Sequence, residues 1–327
     1  MRNFLFVISL ILLLTGCSNS VEIILPSSLG KVNKALVVIP GDLWLGDIGN
    51  DLKEKSNKLI DGLPQPEKTF SLSQVAPHGF NNMMRKTRNI LIVEEADTTQ
   101  FTVRYNKFAK PQTIVYISAP NKEELLQMVK DHSDDVINTF KASDIVFQQQ
   151  IFKRKKLEDI DFKTLQKLNI SLIIPKGYRI VEDTGDFLWL RQHLTSGIAK
   201  GAGSNNLLVY SLPFDVKKDV KKSIKTIRDS IGKVYIPGAK EGMYMITEVA
   251  REVVTHEVNI TDRKAYETRG TWEVKNDFMA GPFLNYVIDD SENNRRLVIE
   301  GFTYAPSINK REFIFELESI AKSVEIR

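Results

Sequence analysis

Cysteine is almost absent from this sequence: Cys17 is the one cysteine among 327 residues. A single cysteine excludes an internal disulfide and any cysteine-rich zinc or iron–sulfur site. The net charge of +4 is too small an excess to indicate nucleic acid as a partner. With 42% hydrophobic residues the composition is that of a globular protein, which excludes wholesale disorder, collagen and coiled-coil arrays. The length predicts about two domains.

Motifs of catalysis and cofactor binding are also missing. The four histidines, His78, His132, His193 and His256, show no metal-binding spacing. The sequence has no phosphate loop, dinucleotide-binding glycine motif or nucleophile elbow, and we interpret Gly201-Ala-Gly-Ser204 as a hairpin loop. We therefore expect no metal ion and no cofactor.

The first residues form the strongest pattern in the chain. Arg2 precedes an apolar run over residues 4–14, and no later run approaches the length of a membrane span. Eleven helical residues rise about 16 Å, half of a ~30 Å hydrocarbon core, which favours a signal peptide over a span. The run ends in Leu14-Thr15-Gly16-Cys17, which resembles the lipobox of bacterial lipoproteins. The alternative is an ordinary signal peptide that happens to contain a cysteine.

The lipobox resemblance implies cleavage after Gly16 and lipid modification of Cys17. Residues 1–16 are then the signal peptide and residues 17–30 a tether. Two or three acyl chains, at ~0.8 kcal/mol per buried methylene, anchor a protein stably to a membrane. Ser18 follows the modified position without an acidic cluster. By analogy with lipoprotein sorting rules, this favours the outer membrane, facing the periplasm.

Apolar patterns divide the rest of the chain into two mixed domains joined by a helical segment. For the N-terminal α+β domain, residues 31–120, we predict strands at 35–39, 90–93, 101–105 and 113–117 and a helix that starts at Asp42. Asn121-Lys-Glu-Glu124 has the form of a capping box and predicts a helical connection over residues 121–168, with a break near Ser143-Asp144.

The C-terminal α+β domain, residues 169–327, is predicted to be a mostly antiparallel sheet with two packed helices. Strands are expected at 187–191, 207–212, 243–248, 283–289 and 297–304. One helix is expected to start at Asp215 and stop at Gly232, and a closing helix to run over 310–324. Basic runs at 153–156 and 215–229 indicate either contacts with lipid headgroups or solvated helix faces, and we favour the latter.

Aromatic and charged residues of the second domain form our candidate binding surface: Trp189, Arg191, Arg269, Trp272, Glu300 and Tyr304. Strand alternation places Trp189 and Arg191 on one face, so that the guanidinium can stack on the indole or line a groove. Packing of the tryptophan in the core beside a snorkelling arginine is the simpler interpretation, and we favour it.

The mature chain resembles a family of bacterial envelope lipoproteins defined only as a domain of unknown function. The matching stretches are Leu25-Pro-Ser-Ser-Leu-Gly30, Val37-Val-Ile-Pro-Gly-Asp-Leu-Trp44, Gly62-Leu-Pro-Gln-Pro66, Arg88-Asn-Ile-Leu-Ile92, Ile174-Pro-Lys-Gly-Tyr178, Phe187-Leu-Trp-Leu-Arg191, Gly281-Pro-Phe283 and Glu300-Gly-Phe-Thr-Tyr-Ala-Pro306. Ala280 departs from the family, which has a glycine there. The resemblance implies no activity and no catalytic residue. The second half also looks like the PsbP-type α+β sandwich.

These patterns lead to two functional hypotheses. The first is a lipid-anchored envelope protein that binds an unknown envelope protein or a small ligand without catalysis. The second is a periplasmic hydrolase whose acids are scattered along the sequence: Asp183, Asp186, Glu257 or Glu300, with His193 or His256. A pocket that gathers two or more of these groups favours the hydrolase. Their dispersal, or pairing with structural partners, favours binding.

Overall fold

The computed structural model describes residues 24–194 and 202–327. The predicted signal peptide, Cys17, the first part of the predicted tether and the start of the glycine-rich stretch at 201–204 lie outside the described residues. Within those residues no helix combines the length and apolarity that crossing a membrane requires. The described chain forms two α+β domains, as the sequence predicts.

A five-stranded mixed sheet forms the first domain, in the order β2-β1-β3-β5-β4 with β4 antiparallel at the edge. Its strands are β1 (Lys34–Val38), β2 (Ser71–Val75), β3 (Asn89–Glu95), β4 (Gln100–Tyr105) and β5 (Thr113–Ala119). The four predicted strands are all present. The sequence does not reveal β2, because Ser71, Ser73 and Gln74 break the apolar alternation on which strand prediction depends.

Three helices belong to this domain: α1 (Gly41–Leu45), α2 (Asp47–Ser56) and α3 (Lys122–Lys153). The single helix predicted after Asp42 is in fact two, because Gly46 is extended between them. The capping box is confirmed, since the side chain of Asn121 accepts a hydrogen bond from the backbone N–H of Glu124 at 2.9 Å. Helix α3 packs its first two thirds on the sheet through Leu125, Val129, Val136 and Phe140.

The break predicted near Ser143-Asp144 is wrong, because α3 is continuous through these residues. Asp144 is fully buried and accepts hydrogen bonds from Arg88 Nε at 2.8 Å and from the backbone N–H of Asn33 at 2.6 Å. A charged residue inside a helix is compatible with burial when its partners come from other elements. After Lys153 the helical segment is interrupted, and the short helix α4 (Lys163–Lys167) follows.

An eight-stranded antiparallel sheet forms the second domain, in the order β10-β12-β13-β14-β9-β8-β7, with β11 paired to β12. The strands are β7 (Arg179–Asp183), β8 (Phe187–His193), β9 (Ser204–Pro213), β10 (Met245–Thr247), β11 (Val254–Ile260), β12 (Arg263–Val274), β13 (Ala280–Asp290) and β14 (Arg295–Tyr304). The short strands β6 (Ile170–Ser171) and β15 (Glu325–Ile326) pair separately. All five predicted strands are present, and β7, β11 and β12 are strands beyond those five.

The two predicted helices, α5 (Val220–Tyr235) and α6 (Arg311–Ala321), cover opposite faces of this sheet. Phe187 and Trp189 face α5, whereas Leu188 and Leu190 face α6, as strand alternation predicts. Asp219 rather than Asp215 caps α5. Helix α5 does not stop at Gly232 but continues to Tyr235. The glycine instead allows the helix to pack closely on β10, because a Cβ there would lie 2.0 Å from the carbonyl oxygen of Met245.

Candidate binding site between the two domains

The loop after α2 docks the first domain onto the second. Gly62 has a φ of +74°, and a Cβ there would lie 2.4 Å from the backbone nitrogen of Gly270 on β12. The next residue, Leu63, is buried in the core that α6 covers. The stretch 62–66, which carries part of the family resemblance, is therefore a docking segment, and its glycine permits the close approach.

Glu67 extends this contact to the start of α6. Its buried carboxylate accepts the backbone N–H groups of Lys310 at 2.6 Å and Arg311 at 3.1 Å. An acidic group at this position satisfies donors that the helix leaves free and complements the positive end of the helix dipole. Arg311 also donates to the carbonyl oxygen of Lys68 at 3.1 Å. The first domain thus caps a helix of the second.

A cluster of buried ion pairs lies behind this cap. Glu318 of α6 binds Arg269 of β12 at 2.7 Å, Lys322 at 2.7 Å and Lys141 of α3 at 3.2 Å. Glu267 binds Arg269 at 2.7 Å. Helix α3 and the second domain therefore share one charge cluster, formed by Lys141, Glu267, Arg269, Glu318 and Lys322.

Burial and the neighbouring charges act on these carboxyl groups in opposite directions. Burial alone would raise the pKa of Glu318, but Lys141, Arg269 and Lys322 outweigh it and hold that pKa well below its usual range. Burial likewise opposes ionisation of Glu267, and Arg269 still keeps its pKa below the ordinary value. Both carboxylates are therefore held in the charged form.

Four residues of the charge cluster line a cavity of about 220 Å³ between the domains, which we call the interdomain cleft. Its walls include Asn33, Asp61, Thr69 and Lys141 from the first domain and His256, Glu267, Arg269, Arg311, Phe315 and Glu318 from the second. At its rim His256 Nε2 lies 3.4 Å from Asp61 Oδ2, and both side chains are exposed. Since typical ligand pockets measure about 300–1,000 Å³, the cleft fits a small polar ligand or one inserted side chain.

The structure does not bring all six residues of the predicted binding surface together. Trp189, Arg191, Trp272, Glu300 and Tyr304 belong to the α5 face of the second sheet, whereas Arg269 lies on the α6 face and lines the cleft. Trp189 is buried, as the favoured core interpretation predicts, and the cation–π contact is also present, with the guanidinium carbon of Arg191 4.7 Å from the centroid of the Trp189 ring. Asn206 Oδ1 accepts from the Trp189 indole N–H and from Arg191 Nε, both at 3.0 Å.

Glu300 lies in the core rather than on a surface. Arg228 of α5 binds its carboxylate through Nε at 2.9 Å and Nη2 at 2.7 Å, and Asn285 donates to it at 2.7 Å. Trp189 and Trp272 are buried too, and the Trp272 indole N–H donates to the carbonyl oxygen of Thr303 at 3.3 Å. In this set, Arg191 and Tyr304 are the residues that stay partly accessible.

The acids proposed for the hydrolase have separate structural partners. Asp183 accepts from the backbone N–H groups of Lys163 and Thr164 at 2.7 and 3.0 Å, which caps α4. Asp186 and Glu257 form exposed ion pairs, Asp186 with Lys167, and Glu257 with Lys221 and Lys264. Of the two histidines, His256 lines the cleft, and His193 is exposed at the end of β8. The structure therefore does not gather these groups at one pocket.

Sequence reasoning missed Glu67, Lys141, Glu267 and Glu318 near the domain interface, and Arg228, which binds Glu300 on the other face of the sheet. Two of them carry a usable signal. Arg228 follows Ile224 by four residues, and Glu318 follows Ile314 by four, so each places a charge on the buried stripe of its helix. A charge on an apolar stripe indicates a buried partner, but the spacing does not identify that partner.

Comparison with known proteins gives family membership without an activity. Residues 28–153 match the domain of unknown function DUF8532, and residues 157–323 match the domain of unknown function DUF4837. No curated protein matches the chain. The crystal structure of the Saccharomyces cerevisiae Ran-binding protein Mog1p is similar at 10% identity and a TM-score of 0.32, over 48% of this chain and 90% of that one.

A point mutant of Mog1 is similar over the same shares of both chains, with 11% identity and a TM-score of 0.32. These likenesses are too low to support a functional argument. The DUF4837 match spans residues 157–323, just over half of the sequence. The chain therefore belongs to the DUF4837 family of domains of unknown function.

Proposed function

We propose that this chain is a lipid-anchored protein of the bacterial envelope that faces the periplasm and binds a partner protein or a small ligand, without catalysis, in the interdomain cleft. The lipobox-like stretch that ends at Cys17 supports the anchor. The cleft supports the binding role, because two domains contribute fixed charges of both signs to its walls. Outer-membrane attachment is part of the proposal and rests on Ser18 after the modified cysteine.

The observation that carries the binding role is the pairing of Glu267 and Glu318 with Arg269 in the wall of the cleft. A carboxyl group that acts as a general acid near neutral pH needs a raised pKa. The pKa of each of these two is lowered instead, by Arg269 and the neighbouring lysines. A permanently charged, internally paired wall suits noncovalent recognition of a polar group, since the charges are already oriented before binding.

The anchor is tested by replacing the modified residue. We expect Cys17→Ser to move the protein from the membrane fraction to the soluble fraction of envelopes washed at raised salt, with an unchanged thermal unfolding midpoint. Ser18→Ala, one residue away, should stay with the membrane. Mass spectrometry of the N-terminal peptide of the native chain should show the acyl groups. Membrane retention of Cys17→Ser, with no acyl mass on the native peptide, would refute the anchor.

Blocking the cleft tests the binding role. His256→Trp places a large side chain at the rim and leaves the five residues of the buried charge cluster unsubstituted. His193→Trp makes the same change on an exposed strand end outside the cleft and serves as the matched control. After chemical crosslinking of intact envelopes, we expect the native chain and His193→Trp to retain the same stoichiometric partner, or the same ligand by native mass spectrometry. His256→Trp should retain at least tenfold less.

Equal retention by the two variants would show that the cleft is not the binding site. Recovery of neither partner nor ligand with the native chain would count against a binding function altogether.

A further inference from the structure

The N-terminal end of the described chain is held against one end of the first sheet. The backbone N–H of Lys110 donates to the carbonyl oxygen of Pro26 at 2.9 Å, and Ser28 N–H donates back to Lys110 at 3.2 Å. On the other side, Leu29 N–H donates to the carbonyl oxygen of Lys86 at 2.7 Å. The segment that leads from Cys17 therefore joins the folded body between the stretches around Lys86 and Lys110.

The surface around this junction carries charge of one sign. Residues 24–34, 76–90 and 101–113 contain eight lysines and arginines and no aspartate or glutamate. One of the eight, Arg88, is buried against Asp144. The other seven are wholly or partly exposed and form no ion pair with the described residues. We call these seven the basic surface: Lys31, Lys34, Arg85, Lys86, Arg104, Lys107 and Lys110.

Apolar side chains stand among these cations. Met83 is 73% exposed, Leu29 is 51% exposed and Tyr105 is 66% exposed. The Arg85 guanidinium carbon lies 5.4 Å from the centroid of the Phe108 ring. Basic groups interleaved with exposed apolar side chains characterise surfaces that lie at the membrane–water interface.

Position and charge together identify the partner. Cys17 and Ile24 are seven positions apart, and a fully extended chain of that length spans at most about 25 Å. We propose that the basic surface docks on the anionic phospholipid headgroups of the membrane that holds the anchor; this inference rests on the proposed lipid modification of Cys17. The tether keeps this surface at high effective concentration near the bilayer.

The basic runs noted in the sequence are weaker candidates. Lys156 pairs with Glu158, and Lys221 pairs with Glu257. Helix α5, which carries the second run, covers the face of the second sheet opposite α6, whereas α6 contacts the first domain through Lys141 and Glu318. The exposed lysines of helix α5 and of the residues just before it, Lys217, Lys218 and Lys233, therefore lie away from the junction and provide a matched control.

The test uses purified Cys17→Ser protein, so that acyl chains contribute nothing to binding. It should sediment with phosphatidylcholine vesicles that contain phosphatidylglycerol, remain in solution with pure phosphatidylcholine vesicles, and be released by raised salt. The added triple substitution Arg85→Glu, Lys107→Glu and Lys110→Glu should weaken partitioning at least tenfold. The control triple, Lys217→Glu, Lys218→Glu and Lys233→Glu, should change it less than twofold.

Equal losses in the two triple variants, equal binding to both kinds of vesicle, or no binding to the anionic vesicles would each overturn the inference. If the first triple variant fails to fold by circular dichroism, Lys107→Gln with Lys110→Gln gives the same comparison without charge reversal. Failure of vesicle binding leaves the lipid anchor standing, because the anchor is measured separately from the acyl mass of the native peptide.

Discussion

The carboxylate of Glu67, in the first domain, accepts the backbone N–H of Lys310 at the start of α6 in the second domain, at 2.6 Å. Among the described residues, Lys310 makes no side-chain capping bond of its own. The helix that covers one face of the second sheet therefore takes its cap from the other domain. Leu63 is buried in the core of the second domain, and Glu318 is bound to Lys141 of the first. Together these contacts mean that each domain is stabilised by the other.

Removing the interdomain cap should destabilise the protein. Glu67→Ala leaves two backbone N–H groups at the start of α6 without an acceptor, and loss of such a cap costs about 1–2 kcal/mol. Glu312→Ala removes an exposed carboxylate from the same first turn and should cost about 0.5 kcal/mol or less. The free energies of unfolding are measured in urea. Equal values for the two variants would mean that the Glu67 contact contributes no net stability.

The buried carboxylate of Glu318 should make stability depend on pH. Its pKa lies well below the ordinary 4.5, because three cations outweigh burial. A carboxyl group with a lowered folded-state pKa stabilises the fold fully above its unfolded pKa and loses that contribution as pH falls through the folded pKa. We expect the native free energy of unfolding to decline below pH 4.5 more steeply than that of Glu318→Gln.

The control for this pH dependence is Glu123→Gln, an exposed change on α3 that should keep the native profile. Burial raises the pKa of Asp144, so this group acts with the opposite sign. Asp144 is present in all three proteins, so its contribution cancels from the differences between their free energies of unfolding. Parallel profiles for the native chain and Glu318→Gln would show that the cations do not lower the pKa of Glu318.

Glu300 should matter for stability. Glu300→Gln leaves Arg228 buried without its charged partner, and breaking a buried ion pair in this way costs about 3–5 kcal/mol. Glu257→Gln removes an exposed carboxylate that also has two cationic partners, Lys221 and Lys264, and should change stability little, because solvent screens exposed ion pairs. Urea unfolding separates the two outcomes. A cost for Glu300→Gln no larger than for Glu257→Gln would contradict a structural role for this ion pair.

Gly62 should be required for docking of the domains. Gly62→Ala places a Cβ 2.4 Å from the backbone nitrogen of Gly270, in addition to the strain of a φ of +74°. Gly242→Ala introduces the same kind of strain at a φ of +78°, with open space around the Cβ. We expect a cost of about 1 kcal/mol for Gly242→Ala and clearly more for Gly62→Ala.

Calorimetry should also show the two domains of Gly62→Ala unfolding in separate transitions, since the contact between them is weakened. A single transition, with a loss equal to that of Gly242→Ala, would mean that the chain absorbs the added methyl group.

Local sequence patterns predicted most of the helices and strands. They failed where a polar residue is bound by a partner that is distant in sequence. The alternation over 187–191 assigned Phe187 and Leu188 to opposite faces, as the structure confirms. The helix break near Ser143-Asp144 was wrong because the polar residue that suggested it is satisfied by Arg88, 56 residues away in sequence. Periodicity reports which face of an element is apolar but not what covers a polar residue on that face.

The candidate site shows the same difference between contacts that local patterns predict and contacts that they do not. Trp189 and Arg191 lie on one face of the sheet, as their strand spacing predicted, yet Glu300 and Trp272 are buried, and Arg269 lies on the opposite face of the sheet. The cleft could not be predicted, because its walls come from segments separated by much of the chain. Contact between such segments depends on how two domains dock, which no local pattern encodes.

Residue order alone determined the α+β class, the capping box at Asn121, the two helices of the second domain and the lipobox-like stretch at Cys17, since each depends on neighbours within a few positions. Tertiary structure decided which charges are buried, where the cleft lies and which cations surround the junction with the tether. The contact of Glu67 with Lys310 joins residues 243 positions apart. Contacts of that range form only when both domains are folded and docked.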